Sequence, residues 1–297
     1  MDGPWKGARV ALESRTLLPP PVGDTMAIQE LDGCKAIVVV ASDTADDVPI
    51  VNLRIKKAVS KLGANLIVVH PGELDLDRWT DTFHVRAAPG QTADAVRKLA
   101  RHELLSEGPV AILYGDGRGT VDVDELGRAV AELAEAVDGR VMPLYRATNE
   151  RGALAVGFDG RQEDLEGCDA VLLWGPGRAP ASARFVAVWD SLPRSEHEGA
   201  DVVLPAATFA ETQGSYTNLE GRVQFVRPVL RASLPLRESW EVLSDMGQRL
   251  GLEDMDYLGV FQIQREAARV VEHFAALAEP PPAQRPATAV LYGPARP

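Results

Sequence analysis

From residue 35 onward, short apolar, β-branched runs alternate with stretches of helical periodicity. Lys35-Ala36-Ile37-Val38-Val39-Val40 is almost continuously apolar, the pattern of a strand buried on both faces of a parallel sheet. A helix is predicted over 49–62. Pro49 suits the first turn, Ile50, Leu53, Ala58, Val59 and Leu62 supply the apolar positions, and Gly63 stands where a helix end favours positive φ. Asn65-Leu66-Ile67-Val68-Val69 is the next buried-type strand, and strand, helix, strand makes a βαβ unit. The alternation continues with a helix over 92–105 and a strand at Val110-Ala111-Ile112-Leu113-Tyr114. Asp122-Val123-Asp124-Glu125 has capping-box spacing and opens a helix with Val123, Leu126, Val130, Leu133 and Val137 on one face, closed by Asp138-Gly139. Strands are predicted at Arg140–Tyr145, Asp169–Trp174, Phe185–Val188 and Ala200–Leu204, and helices over 236–250, closing at Gly251, and 260–278. This order predicts an α/β fold: a doubly wound, mostly parallel sheet with flanking helices.

The ends of the chain differ. Residues 1–30 read as an irregular lead-in around Leu18-Pro19-Pro20-Pro21, and 280–297 as a Pro/Ala-rich tail that is disordered or docked elsewhere. Between them lie an α/β region over 31–250 and a C-terminal helix over 251–279. Both end segments are expected to bury little on their own and to serve as docking arms.

Composition narrows the function. Of 297 residues, 45% are hydrophobic and 25% charged, enough for a substantial core. Lys plus Arg is 31 and Asp plus Glu is 43, a net charge of −12, which argues against nucleic acid and anionic lipid as main partners. Apolar runs are far shorter than the roughly 20 residues that span a bilayer, and the N-terminus carries no signal-peptide pattern, so a cytoplasmic location without membrane insertion is expected. The two cysteines, Cys34 and Cys168, fall short of the four thiolates that a cubane iron–sulfur cluster or a Cys₄ zinc site takes.

Candidate chemistry is sparse. Three predicted strands end in small or glycine-rich loops: Ala41-Ser42-Asp43-Thr44, Gly115-Asp116-Gly117-Arg118-Gly119-Thr120 and Gly175-Pro176-Gly177-Arg178. Such loops are where α/β folds bind nucleotides, but neither a P-loop nor G-x-G-x-x-G is present, and tight turns account for them. The five histidines show no metal-ligand spacing, and His197, between Glu196 and Glu198, reads as a solvated loop residue. Asp122 and Asp124 resemble the start of a calcium loop, but Leu126 and Leu133 stand where oxygen ligands belong, so helix capping is the better account. There is no G-x-S-x-G elbow. No catalytic residue and no metal ligand is expected.

One segment is far more specific: Ala200-Asp201-Val202-Val203-Leu204-Pro205-Ala206-Ala207-Thr208-Phe209-Ala210-Glu211, then Gly214-Ser215-Tyr216-Thr217-Asn218-Leu219-Glu220-Gly221-Arg222-Val223-Gln224. It resembles the signature of the molybdopterin oxidoreductase superfamily, and most of all the large G subunit of NADH–quinone oxidoreductase, respiratory complex I. Pro49–Ala58, Gly63–Val69 and Trp240-Glu241-Val242-Leu243 are also similar to that subunit. Locally, Thr208-x-x-Glu211 predicts strand, turn and helix, and Gly214 and Gly221 bracket a folded loop or hairpin.

The resemblance implies a molybdopterin oxidoreductase-like fold over roughly 30–250. It further implies a structural module of the peripheral electron-transfer arm, bound to other subunits and peripheral to the inner face of the cell membrane. Cofactor-bearing relatives carry an Asp after the second strand to receive the guanine dinucleotide, and here that place holds His70. Ala41-Ser42-Asp43 and Gly175-Pro176-Gly177 depart likewise. No cofactor is therefore expected in this chain, with iron–sulfur clusters only on missing or partner segments. The alternative is a fragment of a molybdopterin-dependent oxidoreductase, of formate dehydrogenase or nitrate reductase type. It would bind molybdopterin guanine dinucleotide with a partner chain, and Gly175, Gly177, Asn218 and Arg222 are the candidate contacts. A third reading is a free nucleotide-binding module built on the three strand-end loops.

Overall fold

The structure is a computed structural model that describes Leu18 and residues 25–79, 82–88, 90–158, 168–175, 179, 181–231 and 236–278. The Pro/Ala-rich tail, Gly177 and nearly all of 1–24 lie outside the described residues.

The first half forms one five-stranded parallel sheet. In chain order its elements are β1 (Ala36–Val40), α1 (Thr44–Asp47), α2 (Pro49–Leu62), β2 (Asn65–Val69), β3 (Phe83–Val85), α3 (Thr92–Lys98), β4 (Val110–Tyr114), α4 (Val123–Ala136) and β5 (Arg140–Pro143). The strand order is β3-β2-β1-β4-β5, every pair parallel, so the winding reverses between β1 and β4. All five residues of β1 and of β4 are buried. Period-two alternation explains why apolar runs are needed there. Val38, Val40 and Ile112 point to a core with Val96, Leu126, Val130 and Leu133, whereas Ile37, Val39 and Leu113 point to one with Val51, Ile55 and Ala58.

The predicted helices recur, with corrections to the face of one and the ends of others. In α2 the buried residues are Val51, Asn52, Ile55 and Ala58, whereas the expected Ile50, Leu53 and Leu62 are exposed. The helix turns Val51, Ile55 and Ala58 toward the sheet, and of these only Ala58 is among the expected positions. In α4 the predicted face is right and Asp122 caps it, accepting from the Asp124 and Glu125 amides at 3.0 and 2.9 Å. Its left-handed closing residue is Asp138 (φ +48), not Gly139, while Gly63 and Gly251 do take positive φ. The predicted helix over 92–105 is α3 followed by two short 3₁₀ turns.

The remaining strands do not extend the first sheet. After α5 (Glu150–Ala155), β6 (Ala170–Trp174), β7 (Phe185–Asp190) and β8 (Val202–Pro205) make a separate parallel sheet of order β6-β7-β8. Trp174 stacks on the buried Trp189 with ring centroids 5.1 Å apart. His197 is not the solvated residue expected. It is buried, with Nε2 3.4 Å from Asp190 Oδ2, which also accepts from Arg194 Nε at 2.6 Å.

β9 (Gly214–Thr217) and β10 (Val223–Val226) form an antiparallel hairpin, and α6 (Ser239–Arg249) and α7 (Val260–Val270) follow. The predicted helix over 260–278 breaks at Val271, whose extended backbone (φ −129, ψ 109) leads into a 3₁₀ segment, Glu272–Ala278.

The lead-in is not wholly a free arm either. Leu18 and Met26 are buried in the two cores, and Ile28 N donates to Glu220 Oε1 at 2.8 Å. Among the described residues no helix is long and apolar enough to cross a membrane.

Candidate functional site

In doubly wound sheets the ligand crevice opens beyond the carboxyl ends of the strands where the winding reverses. Here that place lies between the ends of β1 and β4. The two loops are bound to one another: Gly115 N donates to Val40 O and Gly117 N to Ala41 O, both at 2.9 Å. Close approach requires glycine at 115, since a Cβ there would stand 2.7 Å from Ala41 O and 2.8 Å from Ser42 Cβ. Ala41 and Arg118 both take left-handed backbone conformations to make the turns.

The crevice is filled with carboxylates and their own partners. Asp43 caps α1 by accepting from Ala45 N at 3.2 Å. Asp47, its side chain only 5% exposed, accepts from Ser42 Oγ at 3.0 Å and from Arg118 Nη2 at 3.1 Å, and Asp46 takes the same guanidinium at 3.2 Å. Asp46 and Asp47 accordingly push the Arg118 pKa upward. Asp116 is buried, accepts from Arg118 N at 2.9 Å and lies 3.2 Å from Arg146 Nε.

His70, at the end of β2, accepts from Gly72 N through Nδ1 at 3.2 Å, and Arg86 Nη1 donates to Gly72 O at 2.6 Å. That turn is therefore closed on itself. A dinucleotide pyrophosphate between β1 and β4 would meet the buried carboxylates of Asp47 and Asp116, whose charge Arg118 and Arg146 already balance from within the fold. The residues at the switch point do not fit that group.

The candidate residues fall apart in space and role. Gly175 follows β6 in the second sheet, with φ +82 and its N–H donated to Trp189 O at 2.9 Å, so the three strand-end loops belong to two sheets. Asn218 and Arg222 close the β9–β10 hairpin. Asn218 Oδ1 accepts from Arg222 N at 2.8 Å, Asn218 N donates to Arg222 O at 3.0 Å, and the exposed Arg222 guanidinium pairs with Glu220. Upstream, Thr208-x-x-Glu211 makes one half of the capping box: Glu211 Oε2 accepts from Thr208 N at 2.9 Å and from Thr208 Oγ1 at 2.8 Å, while Glu211 N donates to the Thr208 carbonyl at 3.0 Å. Only a turn follows, not the predicted helix.

The hairpin and the start of α5 enclose a cleft of about 450 Å³ that no sequence pattern announced. Asn149, in a left-handed conformation, accepts through Oδ1 from Thr217 N at 2.8 Å, which ties the two walls together. Arg151 Nη1 donates to Thr25 Oγ1 at 2.6 Å and lies against Gly221, where a Cβ would meet the guanidinium at 2.7 Å. Thr217 Oγ1 is 3.1 Å from His273 Nε2, and burial, reinforced by Arg151, pushes the His273 pKa downward. The Tyr145 hydroxyl is buried without a hydrogen-bond partner among the described residues, and burial pushes its pKa up. Its lining carries amide, phenol, guanidinium and carboxylate side chains. Among the described residues no cluster of three potential metal ligands occurs.

Known proteins share this arrangement of sequence. The chain is 25% identical over 283 residues to the mitochondrial NADH-ubiquinone oxidoreductase 78 kDa subunit of Neurospora crassa, covering 87% of this chain and 37% of that protein. It is 34% identical over 98 residues to the F420-dependent formate dehydrogenase subunit alpha of Methanocaldococcus jannaschii, 33% of this chain and 15% of the relative. It is 28% identical over 215 residues to the NADPH-Fe(3+) oxidoreductase subunit alpha of Geobacter sulfurreducens, 55% of this chain and 25% of the relative. The chain thus spans well under half the length of these relatives. The family model described as Molybdopterin oxidoreductase matches residues 23–249, which takes in the parallel sheets, the signature hairpin and α6, and the chain belongs to that family.

Proposed function

We propose that the chain is a subunit, or a split part of one, of NADH–quinone oxidoreductase, and that it serves the peripheral electron-transfer arm as a cofactor-free structural module. The observation that carries this reading is the likeness to the 78 kDa NADH-ubiquinone oxidoreductase subunit along 87% of the chain. The crevice between β1 and β4 supports it, because its buried carboxylates are neutralised from within and oppose an anionic dinucleotide. In this role the chain presents surfaces to the other subunits at the inner face of the membrane. Electron transfer from NADH to quinone, and the coupled ion pumping, belong to those partners. The test is affinity purification of the chain from its source cell with identification of every co-purifying protein, together with metal and pterin analysis of the isolated chain. Recovery of NADH–quinone oxidoreductase subunits, with no stoichiometric molybdenum, tungsten, pterin or iron, is the expected result.

A second reading has its own support: the 34% identity over 98 residues to a formate dehydrogenase alpha subunit. On it, the chain holds molybdopterin guanine dinucleotide together with a partner chain, and Gly175, Gly177, Asn218 and Arg222 contact it. A near one-to-one content of molybdenum or tungsten, with pterin fluorescence after oxidation, selects this reading over the first.

A further inference from the structure

We propose that the exposed apolar patch of Phe209, Val229 and Leu230, bordered by Arg227 and Arg231, is a docking surface for a protein partner whose apolar side chains are flanked by carboxylates. The proposal rests on the reading of the chain as a subunit of a larger assembly and names the surface by which it is held.

The three side chains are far more exposed than large apolar groups usually are: 80% for Phe209, 81% for Val229 and 60% for Leu230. They come from two separate stretches of chain that the backbone clamps together. Val229 N and Leu230 N both donate to Ala210 O, at 2.9 and 3.0 Å. The turn carrying Phe209 is itself held by the Glu211 carboxylate on Thr208. The patch is therefore built into the fold rather than carried on a loose tip. A contiguous apolar patch with a polar rim marks an interaction surface, and a patch ordered in advance loses little entropy on binding.

The rim specifies the partner. Residues 221–237 contain four arginines and no carboxylate, in a chain whose net charge is −12. Arg222 and Arg237 are engaged within the fold by Glu220 and Asp245. Arg227 lies over the Phe225 ring at 5.5 Å, and neither it nor the exposed Arg231 has an acidic partner among the described residues. Phenylalanine and arginine are among the residues enriched at protein interfaces, and a charged rim sets orientation and excludes wrong partners. An acidic, apolar-centred protein surface complements both features. An anionic bilayer would match the rim but be repelled by the rest of this acidic chain.

The test uses the full chain in its source cell, with a photo-crosslinking benzoylphenylalanine replacing Phe209, Leu230 or, as a control on a distant exposed site, Leu258. Crosslinks from 209 and 230 should converge on one co-purifying subunit, in a segment with more Asp and Glu than Lys and Arg, and should be absent from 258. Arg231→Glu should lower recovery of that subunit about tenfold at low salt, without changing the thermal transition, and Arg231→Lys should largely retain it. Subunits that co-purify but crosslink only elsewhere, or through a basic or neutral segment, overturn this inference and leave the subunit reading standing. If no subunit co-purifies, both fall. Crosslinks to a second copy of the chain also overturn it. So does binding to phosphatidylcholine–phosphatidylglycerol vesicles that Arg231→Glu abolishes.

Discussion

Single side chains of this protein do work that can be measured one at a time. Asp122 satisfies two amides at the start of α4, so Asp122→Ala should cost about 1 kcal/mol in urea unfolding. Tyr145 is the opposite case. Its buried hydroxyl has no partner among the described residues, and a buried polar group without a partner is a penalty rather than a support. Tyr145→Phe should leave stability unchanged or raise it, and a clear loss in the same unfolding experiment would reveal a hydrogen bond through an ordered water. Both residues stand in the sequence in plain view, yet only Asp122 announces its role. A cap acts on amides two and three residues away, whereas the surroundings of Tyr145 come from a hairpin some seventy residues on (an order-of-magnitude separation typical of non-local β contacts).

At the scale of elements, the junction of β1 and β4 is held by close backbone approach. A Cβ on Gly115 would press on the Ala41 carbonyl, which is backbone and cannot swing aside. Gly115→Ala should therefore cost on the order of 1–3 kcal/mol, read as a lowered thermal midpoint. The strands β1, β2 and β4 were legible because burial on both faces demands unbroken apolar runs. The third strand, Phe83–Val85, was not, since three half-exposed edge residues carry no such pattern. Nor was α5, a six-residue helix whose start is fixed by Asn149 reaching across to Thr217. In α2, counting apolar residues placed Ile50 and Leu53 inward, but the sheet takes Val51 and Ile55, which leaves Ile50 and Leu53 in solvent.

For the molecule as a whole, acid should be the weak side. Burial by itself would raise the Asp77 carboxyl, but Arg86, the Leu74 amide and His84 together hold it below the usual carboxylate range. Asp190 is likewise raised by burial and, on balance, lowered by Arg194 and the Leu192 and Ser191 amides. A carboxylate depressed in the folded state contributes stability that is complete above its unfolded pKa, near 3.8 for both groups, and is lost as pH falls through the lower folded value. Unfolding free energy should thus be flat with respect to these groups above about pH 5 and decline below about pH 4. Asp190→Asn should flatten part of that decline, and calorimetry across this range measures it. An acid limb unaltered in Asp190→Asn would mean that Asp190 is not among the groups responsible.

The sequence by itself determined the α/β class, the positions of the buried strands, the capped helix after Asp122 and the signature segment that carries the family likeness. These rest on local periodicity and on contacts a few residues apart, which a linear reading can follow. Only the tertiary structure decided that β6, β7 and β8 form their own sheet instead of widening the first. It also decided that Arg118 is spent on Asp46 and Asp47, that His197 is buried beside Asp190, and that Phe209 stands next to Val229 and Leu230. Apart from the His197–Asp190 contact, which is local in sequence, each of these depends on which backbone segments meet across longer stretches of chain. That choice is made by the pairing of strand edges and the closure of loops, and neither is encoded in the pattern of any one segment.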